Sequence, residues 1–220
     1  MKPVVFCDFD GTITAEETFV AMMKRFAPEV SGEIIPKLYT REITLREGVR
    51  QILESIDAAA YPEIVEFSRT KSIRPGLVEL LDFLDRRGVP FVVVSGGIRI
   101  MVETVLGELT ERVEAIYAVD VEAGESNLRV HSDFEGGTEL MAKVRVMELY
   151  EGDEKIAIGD SVTDLNLAIA APVVFARDRL AAYLDERQKS YIPWGDFFDV
   201  RDRLAQMWNN AELSENGKEW

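Results

Sequence analysis

Cysteine occurs once in this 220-residue chain, as Cys7, and histidine once, as His131. A single thiol excludes an internal disulfide framework and a cysteine-based zinc site. A single imidazole excludes a histidine-cluster metal centre. No apolar run approaches the roughly 20 residues of a membrane-spanning helix. The opening Met1-Lys2-Pro3 followed by Val4-Val5-Phe6-Cys7 is too short for a secretion signal and reads as a strand. Basic residues are scarce, with 25 Lys and Arg against 40 Asp and Glu and a net charge of −15. That balance argues against a nucleic-acid partner, whose phosphates are held by clustered cations. It argues equally against docking on an anionic membrane. What is present, 47% hydrophobic and 30% charged residues, suits a folded soluble protein of one domain with a modest insertion. The expected location is the cytoplasm.

Four short apolar runs punctuate the chain: Val4–Cys7, Pro90–Val94, Lys155–Ile158 and Val173–Ala176. Runs apolar on both faces suit strands buried in a parallel sheet. Between them lie helical stripes. Leu77, Leu80, Leu81 and Leu84 share one helix face that Gly88 would end. Leu140, Val144 and Met147 recur at helical spacing after a candidate cap at Thr138. Alternating strands and helices predict a doubly wound, mainly parallel α/β sheet of Rossmann type. Two segments interrupt that rhythm. Residues 15 to 73 hold no convincing strand but carry the stripes Phe19, Met22, Met23, Phe26 and Leu45, Val49, Ile52, so a helical insertion over the sheet is expected. Residues 117 to 130 read as a β-hairpin around Gly124-Glu125-Ser126. The polar tail after about Asn209 is expected to fray.

In an open parallel sheet, ligands bind beyond the carboxyl ends of the strands. Three of the runs end in polar residues: Asp8 and Asp10, then Ser95-Gly96-Gly97, then Asp160 with Asp164. Carboxylates that converge without a cation repel one another and raise a pKa. A hard divalent cation removes the repulsion, and Mg²⁺ is typically held by one or two carboxylates plus substrate phosphate. Asp8 and Asp160 are therefore the expected Mg²⁺ ligands, with Asp164 as a third ligand or support. Ser95 offers a hydroxyl to the phosphate, the Gly96-Gly97 backbone allows close approach, and Lys143 at a helix start could supply a cation.

The order Asp8-Phe9-Asp10-Gly11-Thr12, Ser95, Lys143, Gly159-Asp160-x-x-x-Asp164 resembles the four motifs of the haloacid dehalogenase superfamily of phosphatases. The resemblance implies Asp8 as a nucleophile that forms an aspartyl-phosphate. It implies Asp10 as the general acid/base, with its backbone carbonyl a further ligand of Mg²⁺. Ser95 and Lys143 match the phosphate-binding residues, with Lys155, which opens a strand, competing for the place of Lys143. Asp160 and Asp164 match the metal-site acids. The insertion resembles the helical cap of the phosphoserine phosphatase branch, which implies a catalytic core of residues 1–14 and 74–220 and a cap of residues 15–73. In that branch Glu17 and Arg50 match the residues that contact the substrate amine and carboxylate. A longer series of matches, including Phe6–Thr14, Arg25-Phe26-Ala27-Pro28, Ile158–Asp164, Phe175-Ala176-Arg177-Asp178 and the Ile192-Pro193-Trp194 tail, is similar to the methionine-salvage phosphatases of the superfamily. That similarity implies a small phosphorylated metabolite with a methylthio chain, phosphoserine being the alternative that Glu17 and Arg50 favour. A homodimer is left open.

Blander readings stand beside these. Glu17 and Arg50 could be surface charges in ion pairs, and Cys7 a small hydrophobe. Trp194 with Phe197-Phe198 reads as packing. Met22-Met23 reads as core that could also face a thioether. A receiver-like phospho-accepting module uses similar residues, but it is much shorter, lacks the insertion and places its phosphorylated Asp on a later strand. A binding protein on an inactive scaffold would not keep every motif residue.

Overall fold

The computed structural model describes residues 2–40 and 42–216, the last six through their backbone alone. Seven strands form one sheet: β1 (Pro3–Cys7), β2 (Phe91–Ile98), β3 (Ala115–Ala123), β4 (Leu128–His131), β5 (Glu154–Gly159), β6 (Val173–Ala176) and β7 (Ile192–Pro193). Their order is β4-β3-β2-β1-β5-β6-β7. Every neighbouring pair is parallel except the antiparallel β3–β4 hairpin. The four apolar runs occupy β1, β2, β5 and β6. The hairpin is not separate, because its first arm begins at Ala115 and extends the sheet by pairing with β2. That arm's β2-paired half, Ala115–Val119, packs on both faces of the sheet, but Asp120 and Glu122 break the apolar run and give it the pattern of a hairpin arm.

Ten helices accompany the sheet among the described residues: α1 (Thr18–Phe26), α2 (Pro28–Tyr39), α3 (Leu45–Leu53), α4 (Tyr61–Arg69), α5 (Leu77–Asp85), α6 (Arg99–Leu106), α7 (Lys143–Glu148), α8 (Leu165–Ala170), α9 (Asp178–Glu186) and α10 (Phe197–Asn216). Successive strand residues point to opposite faces. Val4 and Phe6 therefore join Val92, Val94, Ala157 and the helices α7, α8 and α9 in one core. Val5 and Cys7 join Phe91, Val93, Ile156, Ile158, α5 and α10 in the other. Cys7 is fully buried there and acts as a small apolar side chain. On the same face Phe83 of α5 stacks on Trp208 of α10 with ring centroids 5.5 Å apart.

Helix α7 starts at Lys143, three residues after the start of the Leu140-Val144-Met147 stripe. Thr138 caps nothing there, since its carbonyl accepts from the Arg46 N–H. Leu140 and Met141 lie in the irregular segment before the helix and are buried. The polar stretch from Asn209 continues α10 as far as Asn216, and residues 217–220 lie outside the described residues.

Residues 15 to 73 hold helices α1 to α4 and, among the described residues, no strand. The stripe of α1 divides its work: Met22 is fully buried, and Phe19 and Met23 are buried. Thr44 and Glu47 form a reciprocal cap that starts α3. Two anchors hold the insertion to the sheet. At its base Thr14 bridges Ile73, and the Arg74 N–H donates to the Ile13 carbonyl at 2.8 Å. At its far end Asp57 bridges Asn127 of the hairpin turn, and the Leu128 N–H donates to the Ile56 carbonyl at 2.9 Å.

Gly76 joins the insertion to α5 with φ +86°, and a Cβ there would lie 2.5 Å from the Phe198 backbone nitrogen. Gly76→Ala should therefore lose about 1–3 kcal/mol of stability, read as a lower urea midpoint.

Candidate active site

Strand β1 lies between β2 and β5 and is parallel to both, so the carboxyl ends of the three central strands lie side by side. Asp8 follows β1 directly, and its N–H donates to the Ile158 carbonyl of β5 at 2.9 Å. The chain then turns sharply over Phe9–Ile13. Gly11 makes the turn possible: its φ is +80°, and a Cβ would sit 2.5 Å from Asp160 Oδ2. Thr12 is fully buried and donates its hydroxyl to Asp160 Oδ1 at 2.9 Å.

Asp8, Asp160 and Asp164 are buried with their oxygens within 4.8 Å of one another. Lys143, 1% exposed, enters this cluster from the start of α7. Its Nζ donates to Asp8 Oδ1 and, at 2.7 Å, to Asp164 Oδ1. Lys155 is elsewhere, bonded to the Met147 carbonyl at 2.9 Å. The other oxygen of Asp164 accepts from the Asp160 and Ser161 N–H groups at 3.0 and 3.1 Å. Asp164 thus spends both oxygens on holding Lys143 and the turn after β5. Asp8 Oδ2 is buried with no hydrogen-bond partner, a costly state unless a cation meets it. A set of hard oxygen donors with one orphaned carboxylate oxygen fits a divalent cation such as Mg²⁺ between Asp8 and Asp160.

Burial raises Asp8 to about 6, with Asp164 pushing the same way and Lys143 opposing. Burial also raises Asp160 to about 9, reinforced by the charges of Asp8 and Asp164. For Lys143, burial pulls downward but the two carboxylates outweigh it and hold the ammonium well above its ordinary value. Asp10 sits at the lip of the cluster, where its Oδ1 accepts from the Phe19 N–H at 2.7 Å. Burial outweighs that bond and pushes it up to about 8. That direction favours the protonated form of Asp10 near neutral pH in the absence of a cation.

The register of β2 against β3 shifts between Val94 and Ile98, which takes Ser95-Gly96-Gly97 out of the regular ladder. The Ser95 hydroxyl is fully buried and accepts from the Gly97 N–H at 3.0 Å. Gly96 and Gly97 line a cavity of about 140 Å³ together with Asp8, Asp10, Lys143 and Asp160. Above this polar floor the cavity is apolar, with Phe19, Val20, Met23, Ile35, Leu38 and Val49 from the insertion facing Leu140 and Met141.

Glu17 also borders the cavity, 3.8 Å from the Arg179 guanidinium of α9. Arg50 does not border it. Its guanidinium binds Glu135 at 2.8 Å, the Val130 carbonyl at 2.9 Å and Glu54 at 3.1 Å, so it ties α3 to the hairpin side of the sheet. The helical phase of α3 decides this, since Val49 faces the cavity and Arg50 lies one position further round. Arg179 and Thr12 were not singled out from the sequence. Arg179 lies just past β6, and the strand-end rule that found Asp160 applies to it equally. Trp194 packs against Phe197 at 5.3 Å and is buried away from the cavity.

A doubly wound sheet whose central strands end in three buried carboxylates, met by a lysine from a helix start, is the framework of a phosphoryl-transfer hydrolase. The chain belongs to the haloacid dehalogenase-like hydrolases, whose family model matches residues 5–168. A 2-hydroxy-3-keto-5-methylthiopentenyl-1-phosphate phosphatase of Microcystis aeruginosa is 52% identical over 206 residues, covering 93% of this chain and 98% of that protein. An enzyme of the same name from Bacillus cereus is 32% identical over 216 residues, covering 94% and 98%. The fold is shared with a phosphoserine phosphohydrolase-like protein of Francisella tularensis, at TM-score 0.70, 22% identity and coverage of 92% and 99%. It is also shared with a phosphoserine phosphatase of T. onnurineus, at TM-score 0.67, 19% identity and coverage of 92% and 94%. The chain is accordingly a phosphatase.

A cation held by this acid cluster would compete with protons for it. Asp160 and Asp10 hold protons in the folded, cation-free protein that the unfolded chain releases near pH 4. Their contribution to stability is therefore present below about pH 4 and is lost as pH rises towards their raised values. A bound cation favours the charged forms. The gain in Tm on adding millimolar Mg²⁺ should be small at pH 5 and widen up to pH 9.

Proposed function

We propose that the protein is a Mg²⁺-dependent phosphatase that hydrolyses 2-hydroxy-3-keto-5-methylthiopentenyl-1-phosphate through an aspartyl-phosphate on Asp8. The apolar roof over a polar floor carries the substrate reading. A methylthio chain gains about 0.8 kcal/mol for each methylene taken from water, and the polarizable side chains of Met23 and Met141 suit a thioether. Phosphoserine would bring an ammonium and a carboxylate under the same roof. The arginine expected to meet that carboxylate, Arg50, is committed to Glu135 and Glu54. The relative at 52% identity carries the methylthio substrate in its name, which supports the same choice. A cytoplasmic enzyme acting on a small phosphorylated metabolite, with no nucleic-acid or membrane partner, accords with the acidic surface. Among the described residues no helix is long and apolar enough to cross a membrane.

In this reading the phosphoryl group lies on the floor, with Lys143 opposing its charge and the Ser95 hydroxyl and the Gly96-Gly97 backbone beside it. Mg²⁺ held by Asp8, Asp160 and the Asp10 carbonyl, with Asp164 in support, would offset the remaining phosphoryl charge. The Asp8 carboxylate forms a bond to phosphorus while the bond from phosphorus to the ester oxygen breaks. Asp10, protonated beforehand, gives its proton to that departing oxygen. A water molecule then attacks phosphorus and passes a proton to Asp10. The bond between phosphorus and Asp8 breaks, orthophosphate leaves, and both side chains return to their starting states. The helical roof keeps bulk water from the first step.

Asp8→Asn should lower turnover by at least about 10³-fold, whereas Asp10→Asn should leave an acid-precipitable phosphoenzyme that wild type does not accumulate. Full activity of Asp8→Asn on every phosphate ester tried would overturn the mechanism. In parallel assays kcat/KM should favour the methylthio substrate over phosphoserine by about 100-fold or more. Arg50→Ala should lower both rates by the same factor. A selective loss of phosphoserine hydrolysis would instead return Arg50 to the substrate site.

A further inference from the structure

Arg74 lies immediately after the bridge that closes the helical insertion, and its side chain reaches back under the catalytic turn. Its Nε donates to the Thr12 carbonyl at 2.9 Å, and its Nη2 donates to the Gly11 carbonyl at 2.6 Å and the Thr14 carbonyl at 3.3 Å. The guanidinium packs on Trp194, 5.4 Å from the ring centroid. Three neutral carbonyls of one four-residue turn thus converge on a single side chain. Each has a consequence for the floor of the cavity. Thr12, held by its carbonyl, presents its hydroxyl to Asp160. Thr14, held by its carbonyl, presents its Oγ1 to the Gly11 N–H at 3.0 Å. In a planar trans peptide that N–H points opposite the carbonyl of Asp10, so its bond to Thr14 fixes where the Asp10 carbonyl aims.

We propose that Arg74 is a positioning residue of the cation site, setting the direction of the Asp10 carbonyl and the position of Asp160 from behind the turn. The inference rests on the cation reading given under the proposed function. It needs the guanidinium fork and not only its charge, because Nε and Nη2 serve different carbonyls, which one ammonium cannot span in the same geometry. Arg177 provides an internal comparison. Its guanidinium lies 5.2 Å from the same Trp194 ring, but its hydrogen bonds go to Asp178 and Gly195.

The test is Mg²⁺ affinity of substrate-free protein, measured by calorimetry and by the Mg²⁺-induced shift in Tm, alongside kcat and KM. Arg74→Gln and Arg74→Lys should each weaken Mg²⁺ binding by about 10–100-fold, the usual cost of losing a group that orients metal ligands. Their kcat should fall at low Mg²⁺ and recover at high Mg²⁺, with KM for substrate little changed. Arg177→Gln should bind Mg²⁺ as wild type does. If Arg74→Gln fails to fold, Arg74→Lys, which keeps the charge, carries the reading. Wild-type Mg²⁺ affinity in a folded Arg74→Lys protein would overturn the assignment. Equal weakening in Arg177→Gln would also overturn it, by pointing to general loosening around Trp194. Absence of any Mg²⁺ effect on the wild-type protein would overturn the cation reading itself, an outcome distinct from either.

Discussion

The buried ammonium of Lys143, bonded to Asp8 and Asp164 with Asp160 alongside, is the constraint around which the site is organised. One cation among three carboxylates leaves the cluster short of positive charge in a place where water screens little. Low dielectric strengthens each bond and makes each unpaired charge expensive. The protein meets part of that demand with dipoles: the N–H groups of Asp160 and Ser161 on Asp164, and the Thr12 hydroxyl on Asp160. The remainder is centred on the orphaned Asp8 oxygen, the place where the proposed cation, and through it a phosphate, would meet the cluster. Stability is given up locally to keep an attractive site, which is a common arrangement where a binding or reacting group must be held ready.

The helical insertion completes what the sheet begins. It is anchored at its base by the Thr14–Ile73 bridge and at its far end by the Asp57–Asn127 bridge, so its apolar stripe is held over the carboxylates. Floor and roof then divide recognition between charge and shape. In the proposed function the floor selects a phosphoryl group, and the roof selects what that group is attached to. Arg50 strengthens the roof's attachment by its bonds to Glu135 and Val130 and so contributes to the frame of the cavity without touching its contents.

Much of this is legible before any coordinates. Asp8, Asp10, Gly11 and Thr12 lie within one turn, and Asp160 and Asp164 within another, so their proximity follows from local geometry once the flanking strands are recognised. The apolar stripes of α1, α3 and α5 are likewise local periodicities. The errors have equally local causes. Leu140, Val144 and Met147 have helical spacing, yet α7 begins only at Lys143 because the preceding residues are drawn out to line the cavity. The arm Ala115–Ala123 is apolar on both faces only as far as Val119, and Asp120 and Glu122 in its second half give it the pattern of a free hairpin. Arg50 matches a recognition residue by position in the chain but is turned aside by the phase of its helix.

By itself, the sequence determined the chemistry: acids at strand ends in the order and spacing of a phosphatase, no histidine or cysteine set for another metal, and an insertion with an apolar stripe. The tertiary structure alone decided which lysine completes the cluster, which arginine bonds the turn after β1 and which face of the insertion lines the cavity. These are contacts between residues far apart in the chain, 135 positions for Lys143 with Asp8 and 62 for Arg74 with Thr12. Periodicity and motif spacing act over a few turns of chain. Only the register of the strands and the packing of both helical layers bring such distant side chains within hydrogen-bonding distance.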